Sequence, residues 1–81
     1  MALFPVQGIF DGDFVVLLVP IDDTDPMSVV AEKVAYHAAG RRVAAQPRPL
    51  QVRFQGRVLA DTATVTDAGV GPLDVLQVGY R

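Results

Sequence analysis

The stretch "EKVAYHAAGRR", Glu32 to Arg42, holds the chain's only histidine, and a carboxylate and an imidazole in one segment are the parts of a metal site. Helical bundles bind pairs of iron ions through Glu-x-x-His, where the two ligands lie three apart on one helix face. Glu32 and His37 are five apart. On a regular helix that spacing turns them about 140° away from each other, whereas residues sharing a face lie three or four apart. They cannot chelate one ion, and the chain has no cysteine and no second histidine to complete a set. His37 falls about 80° from the centre of the helix's apolar stripe, at the core boundary, and reads as a structural or interface histidine.

Other chemistries also lack parts. Ser28 is the only serine and falls in a first helical turn, and the four threonines have no base partner. The glycines at 8, 12, 40, 56, 69, 71 and 79 are scattered turn punctuation rather than a phosphate loop. The acids at 22, 23 and 25 lack the loop glycine and terminal glutamate of a calcium hand. An excess of acids, and a single aromatic, Phe54, between the arginines, argue against nucleic acid.

The composition bounds what can hold such residues. A chain of 81 residues, 51% hydrophobic, supports one domain over 1–81 and one compact core. Without cysteine there are no disulfides, thiolate metal sites or iron–sulfur clusters, which fits a cytoplasmic protein. "MALFPVQGIF" has no basic leader, and no apolar run reaches the ~20 residues of a membrane helix. The formal net charge of −2 conceals a segregation. Residues 1–32 carry six acids and no Lys or Arg, and residues 33–57 carry six bases and no acid. Either the blocks orient a docking partner, or they face each other and solubilise the surface.

The elements follow from period and punctuation. "LFPVQGIF" reads as an edge-type strand, with the amide position of Pro5 turned away from a neighbour. "DGD" at 11–13 turns the chain into "FVVLLVPI", whose unbroken apolarity implies cover on both faces. Asp25 is the expected N-cap of a helix from Pro26 to Ala39, with Gly40 as its left-handed stop. Met27, Val30, Ala31, Val34 and Ala38 form its core stripe. "LQVRF" alternates, Gly56 turns, and Val58–Leu59 returns as a short strand. "TVTDAGVGP" is a helical turn closed by glycines, and "LDVLQVGY" is the last strand. The fold class is α+β: a β-grasp (ubiquitin-like) arrangement, with a mixed sheet of four to five strands and one main crossing helix. Its first and last strands pair in parallel at the centre.

Val29 and Tyr36 are left over. They are seven apart and nearly aligned, on the helix face opposite the core stripe. They are either incidental surface or, with His37 and the arginines Arg41 and Arg42, a partner interface. A mean hydropathy of +0.32 in so small a domain favours the interface.

"FPV" at 4–6, the apolar second strand, "AEKVAYH" at 31–37 with "RRVA" at 41–44, and "TVTDAGVGPLDVLQV" at 64–78 resemble one family. They are similar to the gamma subunit of bacterial toluene monooxygenase hydroxylases, over essentially the whole chain. The resemblance implies a noncatalytic small subunit of a soluble diiron hydroxylase that oxygenates aromatic hydrocarbons or alkenes. The working complex would be O2- and NADH-dependent. Its partners would be alpha and beta subunits, in a dimer of alpha–beta–gamma protomers. The diiron centre would lie in alpha, with no cofactor in this chain. A reductase, a Rieske ferredoxin and an effector protein would complete the system. Two alternatives remain on the residues alone. One is a ubiquitin-like module of another pathway, although a carrier of that kind needs a terminal diglycine and this sequence reads "VGYR". The other is an independent enzyme or ferredoxin, for which the residues supply no chemistry.

Overall fold

A computed structural model describes residues 2–38 and 45–81. Its elements run β1 Leu3–Phe10, β2 Val16–Asp22, α1 Met27–Tyr36, β3 Leu50–Phe54, β4 Arg57–Val58, α2 Val65–Ala68 and β5 Val75–Tyr80. The five strands form one sheet in the order β2-β1-β5-β3-β4. β1 and β5 pair in parallel from Gln7↔Val75 to Phe10↔Val78, and the other three ladders are antiparallel. The crossover between parallel strands needs a long connection, and α1 is the part of it that covers the sheet.

One face of the sheet is the core. Val6, Phe10, Val19, Ile21, Val52, Phe54, Leu76 and Val78 alternate inward and are buried. Met27, Val30, Ala31, Val34, Ala35 and Ala38 close over them. The expected stripe is therefore the packed one. A Cβ added at Gly8 would stand 2.9 Å from Cγ2 of Val34, so a bare backbone at that point sets the depth of the helix. The Phe10 and Tyr80 rings meet edge to face at 5.5 Å, closing the far end.

Turn chemistry matches the glycines. Gln55 and Gly56 have φ of 52° and 80°, the two left-handed residues of a type I′ hairpin between β3 and β4. Thr64 and Asp67 form a reciprocal capping box on α2, which ends at Gly69 with φ 73°.

The structure corrects five expectations. Asp25 is not the N-cap of α1; Pro26 holds that position, with no side-chain cap. The first-turn N–H groups of Met27 and Ser28 instead donate to the carbonyls of Ala63 and Asp61, at 2.8 and 3.0 Å. A tertiary loop thus supplies the acceptors that a cap residue usually provides. β2 is covered on one face only, because it is an edge strand: Val19 and Ile21 are buried while Val16, Leu18 and Pro20 are exposed. It starts at Val16, leaving Phe14 in the connection, 88% exposed. β1 is not an edge strand, since it lies between β2 and β5. Its Pro5 is still accommodated as expected: it faces Pro20 across the β1–β2 ladder, and neither has an N–H, so the pair sits at a non-hydrogen-bonded position. The amide position of Pro5 points to the β5 side, where pairing begins only at Gln7. Finally, β4 is Arg57–Val58, one residue earlier than Val58–Leu59, because the hairpin loop is only two residues long. The Gly40 stop lies outside the described residues.

Candidate partner interface

α1 places three of the five residues singled out as an interface along one groove. Val29, Tyr36 and His37 line a depression of about 370 Å³ with Glu32, Lys33, Val19 and Pro20. The groove runs between the outer flank of α1 and β2. Val29 is half-buried in it, and Tyr36 is 68% exposed. His37 is the C-cap of α1 and is exposed rather than at the core boundary, while Ala38 beside it is buried. Its ring meets Tyr36 edge to face at 5.1 Å. Arg41 and Arg42 lie outside the described residues.

Lys33 of the groove lining forms an ion pair with Asp25. Lys33 donates to Asp25, whose carboxylate also accepts the N–H of Asp22 at 3.0 Å. The Lys33 hydrogen bond lowers the Asp25 pKa below its ordinary 3.8, against a smaller upward push from burial. A second pair, Arg53–Asp11, ties the β1–β2 turn to β3. Both pairs join the acidic and basic blocks of the sequence, so part of that segregation is internal pairing.

The helix-free face of the sheet is the feature that sequence reasoning missed. Leu3, Val16, Leu18 and Val75 expose 78, 52, 67 and 42% of their surface. They sit in adjacent rows of one face, with Gln7 opposite both Leu18 and Val75. The Gln7 amide donates to the carbonyl of Leu73 at 2.8 Å, which occupies the polar group nearest the centre of the patch. The signal was available: a nearly all-apolar strand next to the chain's first turn is also what an edge strand with an apolar outer face looks like.

Among the described residues, no three of His, Cys, Asp and Glu gather to hold a metal ion. Glu32 and His37 do not form a ligand pair; they line the groove as separate side chains. An iron centre therefore has no fit among these residues. No described helix is long and apolar enough to cross a membrane.

Known proteins share both sequence and fold. The gamma subunit of the hydroxylase component of the toluene-4-monooxygenase system from Ectopseudomonas mendocina is 40% identical over 83 residues, covering 100% of this chain and 99% of the relative. The gamma subunit of the oxygenase component of the alkene monooxygenase system from Xanthobacter autotrophicus is 43% identical over 67 residues, 80% of this chain and 76% of the relative. A chain in the solved complex of toluene 4-monooxygenase with the inhibitor 4-bromobenzoate superposes with a TM-score of 0.93 at 38% identity, covering 99% of this chain and 100% of that one. A ubiquitin of Caldiarchaeum subterraneum, at 19% identity and a TM-score of 0.74 over 99% of this chain and 95% of its own, shows the fold alone to be ubiquitin-like. Residues 3–80 match the family of toluene-4-monooxygenase system protein B, and the chain belongs to that family.

Proposed function

We propose that this chain is the gamma subunit of the hydroxylase component of a multicomponent monooxygenase acting on aromatic hydrocarbons or alkenes. It binds the alpha and beta subunits in a dimer of alpha–beta–gamma protomers and stabilises alpha. It is noncatalytic and works in the cytoplasm. The diiron centre belongs to alpha. The observation that carries this reading is identity over the full length of both chains with a relative named as a hydroxylase gamma subunit.

The contact assigned from the sequence is the α1 groove. Tyr36 is the aromatic anchor, Val29 is its apolar neighbour, and His37 lies beside Tyr36. A large exposed aromatic above an apolar floor is the usual core of a binding hot spot.

Co-expression with candidate alpha and beta chains tests the proposal. Affinity capture on tagged alpha should retain this chain through size exclusion, and iron should be found only in preparations containing alpha. Failure to co-elute where alpha and beta assemble defeats the reading. So does monooxygenase turnover by this chain alone.

A further inference from the structure

α1 starts without a side-chain cap, and the acceptors for its first turn lie on the loop between β4 and α2. That loop has little of its own to hold it. Ala60, Asp61 and Thr62 are exposed, and the nearest buried residues are Leu59 before them and Val65 after. A segment this poor in buried apolar contacts belongs to the low-stability end of a fold.

Arg81 supplies the missing anchor. Its backbone N–H donates to the carbonyl of Pro49 at 2.8 Å, and its Nε donates to the carbonyl of Leu50 at 3.1 Å. Both bonds fix Arg81 at the start of β3. From there Nη2 donates to the Asp61 carboxylate. Arg48 donates to the Arg81 carbonyl at the same corner. One planar guanidinium therefore bridges β3 and the loop, a forked contact suited to arginine.

We propose that Arg81 is the buckle of a strap built into the fold. While its pair with Asp61 is closed, the 60–63 loop lies against the start of α1 and accepts the N–H groups of Met27 and Ser28. When the pair opens, the loop swings away and these two N–H groups turn to water. The release is local for two reasons. The N–H groups of Val29 and Val30 already donate to the Pro26 carbonyl, at 2.9 and 3.1 Å, so α1 does not depend on the loop beyond its second residue. The Met27 side chain is buried and keeps that end of the helix seated on the core.

The strap responds to salt. The Arg81 and Asp61 side chains are 43 and 50% exposed. With Ser28, Glu32 and Arg48 they line a recess of about 320 Å³ that dissolved ions can enter. Such a pair is weak and readily screened, so ionic strength sets how much of the time the start of α1 is covered.

Amide hydrogen exchange of the whole chain, followed residue by residue by NMR, tests the strap. Arg81→Gln should speed exchange at Met27 and Ser28 by about three- to tenfold, the scale of one exposed ion pair and one hydrogen bond. Val19 and Val78, in the sheet, should keep their wild-type rates. The substitution is distant in sequence from all four amides, so their intrinsic chemical rates do not change. Adding Asp61→Asn to Arg81→Gln should bring no further acceleration. In the wild type, raising salt from about 0.01 to about 1 M shortens the screening length from about 30 to about 3 Å and should speed the same two amides. In Arg81→Gln that response should vanish. Unchanged exchange at Met27 and Ser28 in Arg81→Gln overturns the proposal. Equal acceleration at Val19 and Val78, or a variant that fails to fold, overturns it too, because either makes Arg81 a support of the whole fold rather than of the loop. Additive effects of the two substitutions, or a salt response that survives in Arg81→Gln, remove the pair as the buckle.

Discussion

Val34 and Tyr36 are two residues apart on α1 and stand on different faces of it. Val34 is fully buried against the sheet, and Tyr36 is 68% exposed. Val34→Ala should cost roughly 1–2 kcal/mol of folding stability through lost packing, measured by chemical denaturation of the isolated chain. Tyr36→Ala should leave that midpoint nearly unchanged and weaken capture by the alpha–beta complex. Equal effects of both variants on both readouts would refute the division of faces. Gly8 is the second residue-scale determinant. With Val34 only 2.9 Å from a new Cβ, Gly8→Ala forces the helix outward and should destabilise by about 1–3 kcal/mol in the same assay.

Among the elements, the β3–β4 hairpin and the start of α1 show how local signals fare. Gly56 marked the hairpin turn correctly, but Gln55 beside it also takes a left-handed conformation, with φ 52°. An asparagine tolerates that conformation better, so Gln55→Asn should stabilise the fold by up to ~1 kcal/mol, read as a raised thermal midpoint. The α1 start was misassigned for a reason sequence patterns cannot contain. Pro26 and the preceding acid read as a cap and first turn, yet the acceptors come from Asp61 and Ala63, some thirty-five residues along the chain. Asp25 serves Asp22 and Lys33 instead.

For the molecule as a whole, that Asp25–Lys33 pair gives a pH dependence. The folded pKa of Asp25 lies below the ordinary 3.8, so the fold binds its proton more weakly than the unfolded chain does. The stabilisation is fully present above 3.8 and is lost as pH falls through the lower, folded value. Asp25→Asn should therefore lower stability near neutral pH, and the gap from wild type should close under acid conditions below that range. Denaturation midpoints across the pH series check the sign. Part of the charge segregation is internal at this scale: Asp25 and Asp11 pair with Lys33 and Arg53.

The sequence by itself determined the strand and helix order, the buried stripe of α1, the parallel pairing of β1 with β5 and the family. Each of these follows from local periodicity, turn residues or motifs that persist along the chain. Only the tertiary structure decided which strand is the edge. β1 and β2 were exchanged in that respect, because both read as apolar runs and the neighbour that covers a strand comes from far along the chain: β5 joins β1 from residue 75 onward. The same decision exposes Val16 and Leu18 and brings Pro20 beside Val29 and Tyr36. An apolar side chain has no local mark distinguishing a core from a partner; the face it is given by long-range pairing makes that assignment.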